Sequence, residues 1–262
     1  MEAAVKEFLG WDGYAREAEG FLSWQHLTFV TSLMIIMVAA SLVLGRRNRN
    51  KSGSQKNVVL VVAAILINLL EIFKIVVMCL RSDDPWGWLY ELPLFLCSIM
   101  LIALPLAAFS KGRIKEASLD FVFIFGVLGA VLGTYGAGNN YSCYPVLSMD
   151  NVISGITHMI SGFSSLYIGI TGMASMKKKN VPITIAVLMG FVGAAALANR
   201  ILDYNYMFLV RPDATPYELL YSLVGGSSVL YSIGVVLLFL LYIMAFYGIC
   251  FRIKARRSLH KG

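Results

Sequence analysis

Long apolar runs alternate with short polar blocks from about residue 21 to residue 251. A run of about 20 apolar residues is the length that crosses the hydrocarbon core as a helix, and lipid tolerates little else. The pattern predicts seven such spans, at about 21–45, 57–80, 91–109, 119–135, 152–175, 181–202 and 220–251. The expected fold is all-α, a polytopic membrane protein. A segment of residues 1–20 precedes the membrane domain of 21–251, and a basic tail of 252–262 follows it. Pro93 falls in the first turn of span three, where a missing N–H goes unneeded. Cys97 is then expected about one helical turn inside a membrane-length helix. The run Phe125-Gly126-Val127-Leu128-Gly129-Ala130 in span four suits close helix packing.

Composition agrees with the pattern. Only 14% of residues are charged, against about 25% in a soluble domain. The net charge of +7 needs no nucleic acid, because topology accounts for it. Basic blocks follow spans one, three, five and seven: Arg46 to Lys56, Lys111 to Lys115, Lys177 to Lys179, and Arg252 to Lys261. The remaining loops are acidic or mixed. The positive-inside rule therefore puts the N-terminus outside and the C-terminus in the cytoplasm. The membrane is the plasma membrane in a bacterium and an endomembrane in a eukaryote. No basic n-region precedes an apolar stretch at the N-terminus, so no cleaved signal peptide is expected. Val5, Phe8, Leu9 and Trp11 form the apolar face of a short interfacial helix, or else the segment is a loose tail.

Topology sets depth. His26, Cys97 and His158 each lie 5–6 residues into spans that enter from outside, roughly 8–9 Å below the outer edge at 1.5 Å per residue. Asn199 and Arg200 lie about 5 Å from that edge and Glu71 about 14 Å. Glu71 and Lys74 are three residues apart and can pair on one helix face. Ionisable residues inside a membrane are costly and mark a site by default. A cysteine attacks a carbonyl as the thiolate, and a histidine in reach supplies the base. His158 and His26 are the candidates, since His260 sits in the tail. Asn199, Glu71 or Asn68 is available to orient the imidazole. This set fits acyl transfer through a thioester. Two membrane histidines without a cysteine or carboxylate at ligand spacing match no zinc site, and neither a metal nor another cofactor is implied. Cys79 and Cys143 both face outside, where a disulfide between them is geometrically possible; Cys250 faces inside.

Several blocks resemble a known family. They are Phe21-Leu22-Ser23-Trp24-Gln25-His26, Glu91-Leu92-Pro93-Leu94-Phe95-Leu96-Cys97-Ser98, Phe125-Gly126-Val127-Leu128-Gly129, His158, and Asn205-Tyr206-Met207-Phe208-Leu209-Val210-Arg211-Pro212. Together they resemble the YwaF-type integral membrane family, which has an animal branch of membrane acyltransferases acting on ether phospholipids. The resemblance implies a nucleophile at Cys97 and a partner at His158. It departs at Phe95, where the family often has histidine, and near Tyr135, where a proline is expected. The expected function is that of a lipid acyltransferase in phospholipid remodelling or of a lipid acyl hydrolase, with a phospholipid and a lysophospholipid as partners. His26, Glu71, Asn199, Arg200, Asn205 and Tyr206 are the candidate substrate-binding residues, with Arg200 on a phosphate. The competing reading is a seven-helix receptor or transporter that binds a lipid or small molecule in the same outer pocket. A retinal photoreceptor is excluded, because span seven lacks the required lysine.

Overall fold

The computed structural model describes residues 2–213 and 215–259. The last residues of the expected tail, including His260 and Lys261, lie outside the described residues. Ten α-helices account for nearly all the regular structure, and no strand occurs among the described residues. They are α1 (Glu2–Leu9), α2 (Trp24–Asn48), α3 (Gly53–Ser82), α4 (Met100–Phe109), α5 (Gly112–Tyr135), α6 (Gly138–Cys143), α7 (Met149–Thr171), α8 (Val181–Leu202), α9 (Glu218–Leu223) and α10 (Ser228–Leu259). Five of these regions are long and apolar enough to cross a membrane: α2, α3, α5 with α6, α8 and α10. The chain is a polytopic helical membrane protein.

Local chemistry sets the helix starts. Ser23 accepts the His26 N–H to cap α2, and Ser148 caps α7 through the Asn151 N–H. Ser52 and Gln55 form a reciprocal capping box at α3. α3 and α7 begin a few residues before the expected spans because their polar caps sit outside the apolar runs, whereas α2 begins at Trp24, inside the expected 21–45.

The centre of the bundle is the α5–α7 pair. Two thirds of the apolar window of α5 is buried, against about a fifth for the other four long helices (67% and 22%). Glycines let the backbones close. A Cβ on Gly126 would stand 2.5 Å from the Ser161 carbonyl, and one on Gly155 would meet Leu33 of α2 at 2.7 Å. Ser165 Oγ donates to the Phe123 carbonyl at 2.7 Å across the same seam.

Span three departs from expectation. Regular helix begins only at Met100, and Cys97 sits on an irregular turn before it. Proline disfavours helix in the preceding residue, and Leu92 is extended at φ −57, ψ 146. Leu94 N–H then turns back to the Leu92 carbonyl. Ser98 Oγ accepts the Phe95 N–H at 3.0 Å, closing a turn that leads into α4. The last apolar run is also broken. Gly225 and Gly226 have φ of +65 and +75, which glycine adopts without strain, and they separate α9 from α10.

The N-terminal segment is a docked helix rather than a loose tail. Arg81 holds Asp150 through two bonds of 2.7 and 2.8 Å and also reaches the Leu9 carbonyl. Tyr14 donates to Asp150 at 2.5 Å. Burial first, and then the Asp150 carboxylate, push the Tyr14 phenol up to about 12, so it remains a donor. Glu19 accepts the Val146 N–H at 2.7 Å. At the opposite end, Asp120 accepts the Met176 N–H at 2.9 Å and Asn180 Nδ2 at 2.8 Å, tying α5 to the start of α8. The four cysteines are unbonded, so Cys79 and Cys143 do not form a disulfide here.

Candidate functional site

A cavity of about 720 Å³ opens among α3, the turn before α4, α5, α7 and the loop after α8. Its wall carries Cys97 from the turn and His158 from α7. Both lie against one face of α5. A Cβ on Gly129 would be 3.5 Å from Cα and Cβ of Cys97. A Cβ on Gly133, one helical turn further, would overlap Nε2 of His158 outright. Two glycines four residues apart thus clear the floor beneath the thiol and the imidazole.

The ring of His158 has one nitrogen spent and one free. Nδ1 lies 2.7 Å from the Ser154 carbonyl, which can only accept, so Nδ1 carries the proton. Nε2 is buried and has no hydrogen-bond partner among the described residues. A buried polar atom without a partner costs about 1–3 kcal/mol and needs an explanation. Its neighbour is the Cys97 thiol, which interacts with it directly. The backbone N–H groups of Cys97 and Ser98 face the same sulfur. The arrangement is a nucleophile, an accepting base and a carbonyl that fixes the tautomer of that base.

Charged groups line the cavity beside this pair. Glu71 and Lys74 meet at 2.7 Å, the pairing their spacing predicts. Lys74 also holds Glu91 at 2.9 Å, which the sequence reading did not foresee. Glu91 is 17 residues beyond Lys74, and the short 3-10 helix Gly87–Glu91 that follows α3 returns it there. The charge of Glu71 is felt at His158, but Glu71 does not orient the ring, because Ser154 does.

Other candidate residues lie elsewhere or are occupied. His26 is fully buried, and both of its nitrogens are taken. Nδ1 accepts the Leu22 N–H at 3.1 Å, and Nε2 donates to the Thr134 carbonyl at 3.2 Å. Its ring packs on Tyr141 at 3.9 Å. Asn199 pairs with the backbone of Tyr206 through both amide atoms. Asn205 spends its amide on the backbone of Val210 and Arg211 and on Asp213. These two asparagines hold a loop in which Met207 and Phe208 have positive φ, 56 and 53. Tyr206 is buried and donates to the Leu89 carbonyl. Arg200 is exposed on α8, away from the cavity wall. Arg211 is on that wall instead, paired with Asp213 at 2.6 Å. Asn68 bonds the carbonyl one turn back on its own helix.

Ser154 and Gly133 escaped the sequence reading. The signals were present: Ser154 is four residues before His158, and Gly133 is four after Gly129. Phe95 packs against Tyr204, Tyr206 and Phe208, so this position is an aromatic contact.

A family model described as the TMEM164 family matches residues 21–247, nearly the whole chain. No curated protein and no solved structure matches it.

Proposed function

The chain belongs to the TMEM164 family of membrane proteins, and on that footing we propose that it moves acyl chains between phospholipids through a thioester on Cys97. The observation that carries this reading is the bare Nε2 of His158 beside the Cys97 thiol, on the wall of a cavity of about 720 Å³. The resemblance to the YwaF-type family and its animal acyltransferase branch points the same way.

The steps follow from the groups present. Nε2 of His158 takes the proton of Cys97 as sulfur attacks the ester carbonyl carbon of a phospholipid. The bond from that carbon to the glycerol oxygen breaks. Nε2–H returns the proton to the departing oxygen, which leaves a lysophospholipid and S-acyl Cys97. The hydroxyl of a second lysophospholipid then gives its proton to Nε2 and attacks the thioester. The C–S bond breaks, and the thiolate recovers the proton. Ser154 keeps Nε2 as the working nitrogen throughout. Water in place of the second lysophospholipid would make the same site a hydrolase.

We also read the chain as crossing the membrane seven times, with its N-terminus outside. α7 and the 91–109 segment supply the two crossings beyond the five long apolar helices. The alternation of basic blocks supports the orientation. The cavity then opens on the outer half of the bilayer, near ester depth.

The test is direct. Protein in lipid nanodiscs is incubated with a labelled phospholipid and a lysophospholipid acceptor, and intact mass is measured. The expected result is a hydroxylamine-sensitive acyl adduct that Cys97→Ala lacks. Binding of lipid with no adduct and no turnover across choline, ethanolamine and ether lipids would favour a receptor or transporter instead.

A further inference from the structure

We propose that Tyr217 donates a hydrogen bond to the ester carbonyl oxygen as Cys97 attacks it, an inference that rests on the thioester reading above. Thioester formation puts negative charge on that oxygen in the tetrahedral intermediate. A donor aimed at the place where charge develops is usually the largest single contribution to such a reaction.

Tyr217 precedes α9 and lines the same cavity wall as Cys97. A ladder of rings places it there. Its ring lies 6.0 Å from that of Phe208, which lies 5.6 Å from Phe95, two residues before the nucleophile. The hydroxyl is within electrostatic reach of the Cys97 sulfur. It makes no hydrogen bond to a described residue. By contrast Tyr231 bonds the Phe208 carbonyl at 2.8 Å and Tyr242 the Ile124 carbonyl at 2.7 Å. Tyr217 is half-buried on the cavity wall.

The charged groups nearby are ill suited to the role. Glu71 and Glu91 are both taken by Lys74, and Lys74 is held between them. Arg211 is held by Asp213. Burial, and after it the Cys97 charge, push the Tyr217 phenol up to about 12. It is therefore a neutral donor across the physiological range.

Tyr217→Phe removes one oxygen and leaves the ring. The full-length variant in nanodiscs is followed by single-turnover intact mass. The rate of S-acyl Cys97 formation is expected to fall by about 10²–10³-fold, the range for loss of one such donor. KM for the donor lipid is expected to change less than about threefold, because the bond strengthens only as charge develops. A lipid trifluoromethyl ketone that adds to Cys97 should lose affinity by a similar factor. A non-hydrolysable ether analogue should not. A merely structural role would weaken both. In a second arm, 3,5-difluorotyrosine at 217 keeps the ring and the donor but brings its ionisation into the assay range. Activity should then fall as that phenol ionises. Wild-type acylation and ketone affinity in Tyr217→Phe, or a fluorotyrosine rate blind to ionisation, would overturn the role of Tyr217. Failure of the wild-type protein to acylate Cys97 would instead overturn the thioester reading beneath it.

Discussion

His26 and His158 meet α5 at consecutive residues, and one is spent while the other is idle. His26 uses both nitrogens, on the Leu22 N–H and the Thr134 carbonyl, and packs at a tilt on Tyr141. It ties the start of α2 to the end of α5. His158 uses Nδ1 on the Ser154 carbonyl and leaves Nε2 facing a thiol in a cavity. The two share residue type and level on α5, with His26 fully buried and His158 half-buried on the cavity wall. They differ in what their second nitrogen meets. A fully partnered buried histidine is accounted for by packing, and a half-partnered one beside a nucleophile is poised for proton transfer.

The largest expected effect separates the two directly. His158→Gln should lower acyl transfer by about 10³-fold, within the 10²–10⁴ range for loss of a general base. His26→Gln should leave the rate within about threefold. It should cost about 1–3 kcal/mol of stability, because the Leu22 N–H and the Thr134 carbonyl lose well-placed partners. Initial rates and thermal midpoints of both variants in nanodiscs check this. Equal rate losses in the two would erase the distinction and return His26 to the site.

A smaller effect comes from moving the idle imidazole without removing it. In Gly133→Ala the new methyl would occupy the place of Nε2, while Ser154 holds Nδ1 from the other side. The ring must swing away from Cys97. Misplacement of about 1 Å can cost about 10²-fold, which is the loss expected in single-turnover acylation. Labelling of Cys97 by a small thiol reagent, which shows that the fold and cavity persist, should continue in the variant. A wild-type acylation rate would mean that His158 has a second productive position.

Much of the fold was legible because lipid forces it. Apolar length and polar punctuation locate α2, α3, α7 and α8 to within a few residues, and at α8 the expected and observed ranges coincide, whereas α5 begins at Gly112 rather than at 119. What was not legible depends on long-range contact. Pro93 was read as a tolerated first-turn residue, yet Ser98 and Leu92 turn the chain there and delay α4 to Met100. Lys74 was paired with Glu71 from spacing, but no spacing rule brings in Glu91. In the site, Cys97 and His158 stood out as intramembrane chemistry, and so did His26, Asn199 and Arg200. Periodicity cannot reveal whether a polar atom is already bonded. That is a property of neighbours, and it separates His158 from His26 and leaves Asn199 and Asn205 holding a strained loop.

The smallest effect concerns the other glycine of the floor. At Gly129 a Cβ would meet Cα and Cβ of Cys97 at 3.5 Å, an ordinary contact rather than a collision. Alanine also favours helix over glycine by roughly 0.5–1 kcal/mol in a helix interior. Gly129→Ala should therefore leave acylation within about twofold, with a thermal midpoint equal to or above that of the parent. Close approach alone would make the two glycines equivalent, since both sit on the face of α5 that carries the site. Clearance for a moving imidazole makes only Gly133 critical. A loss at Gly129→Ala as large as that at Gly133→Ala would show that the turn bearing Cys97 needs room to shift during the reaction. The nucleophile, and not only the base, would then be the mobile partner.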